Sequence, residues 1–357
     1  MPIQGHFAGR STVRWGIIGC GDVTEIKSGP GFALADGSQL VAVMRRNGTL
    51  AADYASRHHV ARWYDSAEAL IADRDVDAVY IATPPGSHAE YALAVAAAGK
   101  PAYVEKPMAR HTPECDRMVK AFGLAGLPLF VAYYRRRLPC FLKVAELLGS
   151  GAIGLLTGVT YRLAEPHHRK GGMWRTDAVL AGAGHFIDVG SHALDLLDFI
   201  LGPLEDVTGT AANLASDYEV EDNVALTFRA AGVPGCMSWN FASNVSDDMM
   251  RFSGTGGEIT FSMFTSKPVK LEHASGVHLF DLPYPRHVGQ PLIQSVVDDL
   301  LGRGECPSTG DSARRTSRVM DRVLEAYYGG RGDAFWERPQ TWPGRRKNGG
   351  VAQAVAR

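Results

Sequence analysis

No apolar run in the chain reaches the roughly 18 residues that a membrane-spanning helix needs. Neither sign of charge is in excess: 37 Lys and Arg stand against 38 Asp and Glu, a net charge of −1. So balanced a chain has no global field to recruit nucleic acid or an acidic membrane surface, which points to a small-molecule partner. Cysteine is sparse. Cys20, Cys115, Cys140, Cys236 and Cys306 are far apart, odd in number and without a C-x-x-C pair. That argues against a disulfide framework and a thiolate zinc site, so no metal is expected and a reducing, cytoplasmic setting fits. The first residues, MPIQGHFAGRSTVRW, lack the apolar core of a secretory signal. No repeat of fixed period is visible.

What is present is ordinary globular material: 357 residues, 45% hydrophobic and 21% charged, enough for two domains. The first third alternates strand and helix signals. VRWGII (13–18), LVAVM (40–44), VDAVYIA (76–82), AYV (102–104) and LFVAY (129–133) are short runs apolar on both faces, as buried parallel strands are. Helix starts fall between them at Ser66, at Ser87 with Glu90 as a capping box, and at Thr112-Pro113. Gly99 stops the alanine-rich helix after Ser87. The alternation predicts an α/β, doubly wound parallel sheet over residues 1–135. From 136 to 330 the pattern changes to a helix at 139–148, a strand at 155–162, an apolar helix at 184–201 and seven strand-like runs between 206 and 282. Two helices near 291–302 and 311–327 close this second domain, which reads as a mostly antiparallel sheet with helices. Residues 331–357 form a C-terminal extension whose polar end is expected to be mobile.

Gly19-Cys20-Gly21-Asp22-Val23-Thr24 follows the first strand and opens a helix. The first glycine permits the tight turn and the second lets backbone approach a pyrophosphate. Thr24 stands where the strict dinucleotide fingerprint has Gly or Ala. About 20 residues past such glycines, NAD-preferring sheets carry Asp or Glu for the ribose 2′-hydroxyl. Here the second strand ends in Arg45 and Arg46. Either can pair with a 2′-phosphate, so NADP is expected over NAD; the alternative is two solvated arginines.

Glu105-Lys106-Pro107 sits at the end of the fourth run, where ligands bind in such sheets. Lys106 there either polarises a substrate oxygen or is a plain turn lysine. In GHFIDVGSHALDLLDFILG (184–202), read as an α-helix, Asp188 and His192 are i and i+4 on one face, with His185 and Asp195 extending the line. A carboxylate beside an imidazole suits proton exchange near neutral pH; a structural pair or a metal site is the other reading.

Together, GIIGCGDVT (16–24), VDAVYIATPPGSHAEYALAVAAAGK (76–100), VEKPMA (104–109) and GHFIDVGSH (184–192) resemble the Gfo/Idh/MocA oxidoreductases, in order and spacing, over about residues 12–330. The resemblance implies an N-terminal Rossmann domain and a C-terminal α+β domain whose open sheet builds homodimers or homotetramers. It implies that His192 exchanges the proton of the reacting oxygen, that Lys106 assists and that Asp188 holds His192. It places Glu105 at the cofactor site, makes Thr83, Pro84 and His88 the stretch lining the cofactor, and has Trp174 and Arg175 touch cofactor or substrate. The combination is most similar to NADP-linked members acting on sugars, polyols and related small molecules. The rival readings are a non-catalytic NAD(P)-binding regulator and an NAD-assisted glycoside hydrolase. Gly254-Thr255-Gly256-Gly257 reads as a hairpin turn, and Tyr133-Tyr134-Arg135-Arg136-Arg137 as a site wall, interface or solvated edge.

Overall fold

The computed structural model describes residues 5–166 and 173–346. They form two compact units: residues up to Ala109 with Pro113–Leu138 and Pro285–Arg314, and Arg110–Thr112 with Pro139–Tyr284 and the residues from Arg315 onward.

The first unit is built on β1 (Val13–Ile18), β2 (Ser38–Met44), β3 (Arg62–Tyr64), β4 (Ala78–Ile81), β5 (Ala102–Val104) and β6 (Leu129–Val131), in the order β3-β2-β1-β4-β5-β6. Every pairing is parallel. β4 and β5 are buried along their whole length, which is why their sequences are unbroken apolar runs. Tyr80 and Tyr103 stack across these neighbours at 5.0 Å between ring centroids. The chain leaves the sheet in opposite directions from β1 and β4, so the ends of these strands mark the topological switch point.

Three local expectations change. β3, a polar-looking Arg-Trp-Tyr, has no run to betray it. Ser66 caps its helix by accepting from Ala69 N, but Ser87 makes no cap: its hydroxyl turns back to Thr83 Oγ1 and Pro84 O. A 3-10 turn at Pro85–Ser87 precedes the helix His88–Ala97, and this redirects the hydroxyl. The helix Gln290–Leu300 belongs to the first unit, not the second domain. Its Leu292, Ile293, Val296, Val297 and Leu300 join the buried cluster of Trp15, Phe32 and Tyr80, a stripe at helical spacing matched to a sheet face.

The second unit holds β7 (Leu156–Ala164), β8 (Glu205–Ala212), β9 (Asn223–Ala230), β10 (Val233–Asn240), β11 (Asp247–Gly254), β12 (Gly257–Phe261), β13 (Val269–His273) and β14 (Gly276–Phe280). Their order is β14-β13-β12-β11-β7-β10-β9-β8, antiparallel except for the β7–β10 pair. Alternation is plain on β9, where Val224, Leu226 and Phe228 are buried while Ala225, Thr227 and Arg229 are exposed. Gly254–Gly257 is the β11–β12 turn, as expected. The basic run at 135–137 is not a solvated edge. Arg135 and Arg136 are buried in a 3-10 turn of the first unit, and Arg136 and Arg137 donate to the carbonyls of Pro307 and Glu305.

In the C-terminal extension, Phe335, Trp336 and Trp342 are buried. Of the tail after Pro343, expected to be mobile, Gly344 donates its N–H to Tyr327 O at 2.9 Å and Arg345 pairs with Glu219, while 347–357 lie outside the described residues, as does part of the glycine loop ahead of 184. Among the described residues no helix is long and apolar enough to cross a membrane. The five cysteines form no disulfide.

Candidate active site

The first unit gathers twelve of the expected residues at the carboxyl ends of its strands. Gly19 follows β1 with φ +92, which an L side chain rarely adopts, and a Cβ there would lie 2.7 Å from the Thr83 methyl. A Cβ on Gly21 would meet only Gly19 O, at an ordinary 3.9 Å. The turn therefore presents bare backbone where a pyrophosphate needs it, and the residues fit a dinucleotide. Asp22 is exposed and Val23 half-buried at the start of the helix Asp22–Ile26. Thr24, the departure from the fingerprint, is fully buried. Its hydroxyl donates to Gly21 O at 2.7 Å and its carbonyl accepts from Tyr54 Oη, so the larger side chain braces the turn. Glu25 accepts from Arg57 at 2.7 and 2.9 Å and pairs with His58 at 2.8 Å, which holds its pKa down at about 2. That carboxylate is neutralised rather than left to repel a phosphate.

Arg45 and Arg46 follow β2, half-buried and exposed respectively. Among the described residues neither guanidinium makes an ion pair. Arg45 is close enough to oppose the effect of burial on Cys20, which raises that thiol's pKa to about 11.

Glu105 leaves β5 with its N–H on Ile81 O at 2.8 Å. Its carboxylate accepts from Tyr80 Oη at 2.5 Å and from the Lys106 N–H at 3.1 Å. Burial pushes its pKa up, against the pull of Tyr80 and Lys106. The residue expected at the cofactor thus fixes the backbone of Lys106. The Lys106–Pro107 peptide is cis. Thr83 and Pro84 are half-buried after β4. His88, of the same stretch, is 0% exposed, and both ring nitrogens face backbone carbonyls.

The second unit holds the other four. Phe186–Gly190 is a π-turn running into the α-helix Ser191–Leu201, so Asp188 and His192 are not on one continuous α-helix as expected. Such turns insert a residue into the ladder and recur at functional sites. Asp188 accepts from Arg175 Nε at 2.7 Å. Arg175 stacks over Trp174 at 4.4 Å, and Trp174 lines a cavity of about 540 Å³ with Tyr218, Trp336 and Trp342. The Trp-Arg pair is thus tied to the motif aspartate inside this unit. His192 is buried, edge-on to Phe264 at 6.1 Å.

The segment that delivers Asp188 and His192 is anchored by groups that no local motif announces. Both Glu221 carboxylate oxygens accept from Gly184 N, at 3.0 and 3.1 Å, and one also accepts from Tyr328 Oη. A Cβ on Gly184 would lie 2.4 Å from Glu221 O, so only glycine permits this approach. Arg331 donates to Gly182 O and Arg110 O and pairs with Asp321 at 2.7 Å. Burial raises the Glu221 pKa from the usual 4.5 to about 7. A raised carboxyl favours the protonated fold, so its stabilising contribution is complete at low pH and is lost as pH rises through about 7. The loss is about 3 kcal/mol. The melting temperature of Glu221→Gln should therefore fall less between pH 5 and pH 8 than that of the parent; equal falls would contradict this assignment.

The comparisons with known proteins agree with this layout. The model for an oxidoreductase family with an NAD-binding Rossmann fold matches residues 13–133, and the GFO/IDH/MocA C-terminal domain matches 141–260. Oxidoreductase P35 of Formosa agariphila is 36% identical over 318 residues, covering 87% of this chain and 98% of that protein. The 1,5-anhydro-D-fructose reductase of Ensifer adhaerens is 29% identical over 84% of this chain and 91% of its own length. Among solved structures, levoglucosan dehydrogenase in complex with NADH and levoglucosan shares the fold, with a TM-score of 0.79, 21% identity, and coverage of 88% of this chain and 96% of that one. The chain belongs to the Gfo/Idh/MocA family and is an NAD(P)-dependent oxidoreductase.

Proposed function

We propose that this chain is an NADP-dependent dehydrogenase or reductase of a sugar, polyol or related small molecule. The first unit binds the cofactor, and the second supplies the acid–base residues and the substrate wall. Bound NADP or NADPH supplies the redox chemistry, accepting or giving hydride at C4 of the nicotinamide. Lys106 Nζ donates to the reacting oxygen and stabilises the charge that develops on it. His192 gives that oxygen its proton in reduction and takes it in oxidation. Asp188, fixed by Arg175, orients the segment that carries His192. The family's named relatives, including the anhydrofructose reductase and the levoglucosan dehydrogenase, support a sugar-like substrate. That the five cysteines form no disulfide supports a reducing, cytoplasmic setting, and the open sheet supports a homodimer or homotetramer.

The observation that carries NADP over NAD is the pair Arg45 and Arg46, free of ion pairs among the described residues and at the end of β2. A charge-assisted contact to the 2′-phosphate contributes about 1.5–3 kcal/mol. NADPH should bind roughly 10- to 100-fold more tightly than NADH. Arg45→Ala with Arg46→Ala should remove that preference without weakening NADH. Equal or weaker NADPH binding by the parent protein would sink the assignment. A sugar and polyol panel followed at ~340 nm, where reduced nicotinamide absorbs, tests turnover itself; no net redox turnover on any member favours the regulator or hydrolase readings.

A further inference from the structure

The phosphate turn and Lys106 are joined by a continuous set of contacts within the first unit. The Thr83 methyl occupies the space beside Gly19 where a Cβ would lie, 2.7 Å away. Thr83 O faces His88 Nε2 at 2.6 Å. On the other side of the ring, Nδ1 lies 3.1 Å from Pro107 O and 3.3 Å from Met108 O, the first two carbonyls after Lys106. The loop after β4 is stiffened further by Ser87, whose hydroxyl bonds Thr83 Oγ1 at 2.8 Å. His88 is 0% exposed, so it acts on the site through these carbonyls and not by touching a ligand.

We infer that His88 is a positioning residue that couples cofactor binding to catalysis, with Nε2 setting the Thr83 wall of the phosphate turn and Nδ1 setting the backbone that presents Lys106. This rests on the reading of Lys106 as the residue that assists the reacting oxygen. The ring suits the task because its two nitrogens point in opposite directions and reach two loops at once. A neutral imidazole donates through only one of them, so the second carbonyl is fully served when the ring is protonated. Burial lowers the His88 pKa, and the three carbonyls oppose that. A buried group that contacts no ligand yet bonds two loops acts on what those loops carry.

Two isosteric variants separate the arms. The amide nitrogen of Asn stands near the place of Nδ1, and that of Gln near Nε2. His88→Gln keeps the Thr83 arm, so it should lose mainly kcat, by about 10- to 100-fold, with the NADPH Kd within about threefold. His88→Asn keeps the Pro107 arm, so it should lose mainly NADPH affinity, by about tenfold, with kcat at saturating cofactor reduced far less. Equal losses of kcat and affinity in both variants, or none in either, overturn the inference. Hydrogen exchange on the parent protein gives a second readout that needs no variant. NADPH should slow exchange at the amides of Lys106, Met108 and Ala109 together with those of Thr83, Gly86, Ser87 and His88. Protection confined to the phosphate turn overturns the coupling. The Lys106→Ala variant keeps the two ideas apart: undiminished turnover there defeats the functional reading, whereas failure of the Asn/Gln split with Lys106→Ala inactive defeats only the role of His88.

Discussion

Lys106→Ala should lower kcat by about 10²- to 10³-fold while leaving NADPH affinity within about threefold, because its ammonium is asked to stabilise charge that exists only in the transition state. The structure gives that side chain a fixed origin. Glu105 is pinned to β4 through Ile81 O, its carboxylate holds the Lys106 N–H, and the next carbonyls face His88. The backbone proposed to hold the pyrophosphate comes from the turn after β1, and the arginines proposed for the 2′-phosphate follow β2. Removing the ammonium therefore leaves cofactor recognition in place. Lys106→Arg should not restore turnover, since a planar guanidinium places its donors differently from a compact ammonium. A variant that raised only KM would show uniform binding of substrate instead, and would remove the electrostatic role.

His192→Asn should cost about 10²- to 10⁴-fold in kcat, the usual contribution of a positioned acid–base group. Asn keeps a hydrogen-bonding side chain of similar reach but cannot exchange a proton near neutral pH. One limb of the pH–rate profile should vanish with the imidazole. On the proposed role the loss should be as large in the oxidative as in the reductive direction, because one atom would both give and take the proton. Asp188→Asn should produce a smaller loss, since Arg175 then faces a neutral partner and the π-turn loses its ion pair. A His192→Asn enzyme with an unchanged pH profile and turnover would assign the proton to another group.

Much of this was legible in the chain because the physics is local. β4 and β5 are unbroken apolar runs since both their faces are covered, and β9 alternates since one is not. Gly19 and Gly21 stood out because they interrupt such a run at the point where a helix begins. What stayed hidden depends on partners distant in sequence. Tyr328 lies 107 positions from Glu221, and Arg331 lies 149 from Gly182. The helix Gln290–Leu300 returns to the first sheet with nothing beside it to say so. Tyr80 reads as one more apolar strand residue, yet its hydroxyl bridges Ser28 and Glu105. The π-turn at 186–190 reads as plain α-helix in the sequence, because no residue type in FIDVG announces the extra residue in the ladder. The sequence places His88 beside the loop after β4, but its burial against the carbonyls of Thr83, Pro107 and Met108 depends on residues that no local pattern links.

The central claim is that one ammonium and one imidazole serve a single oxygen. A double-mutant cycle on kcat tests it most directly, with Lys106→Ala and His192→Asn made singly and together at saturating cofactor and substrate. If both groups act in one transition state, the double variant should be little slower than the slower single one, as happens for residues that work as a unit. Losses that multiply in full would mean independent tasks, and the shared-oxygen account would be wrong.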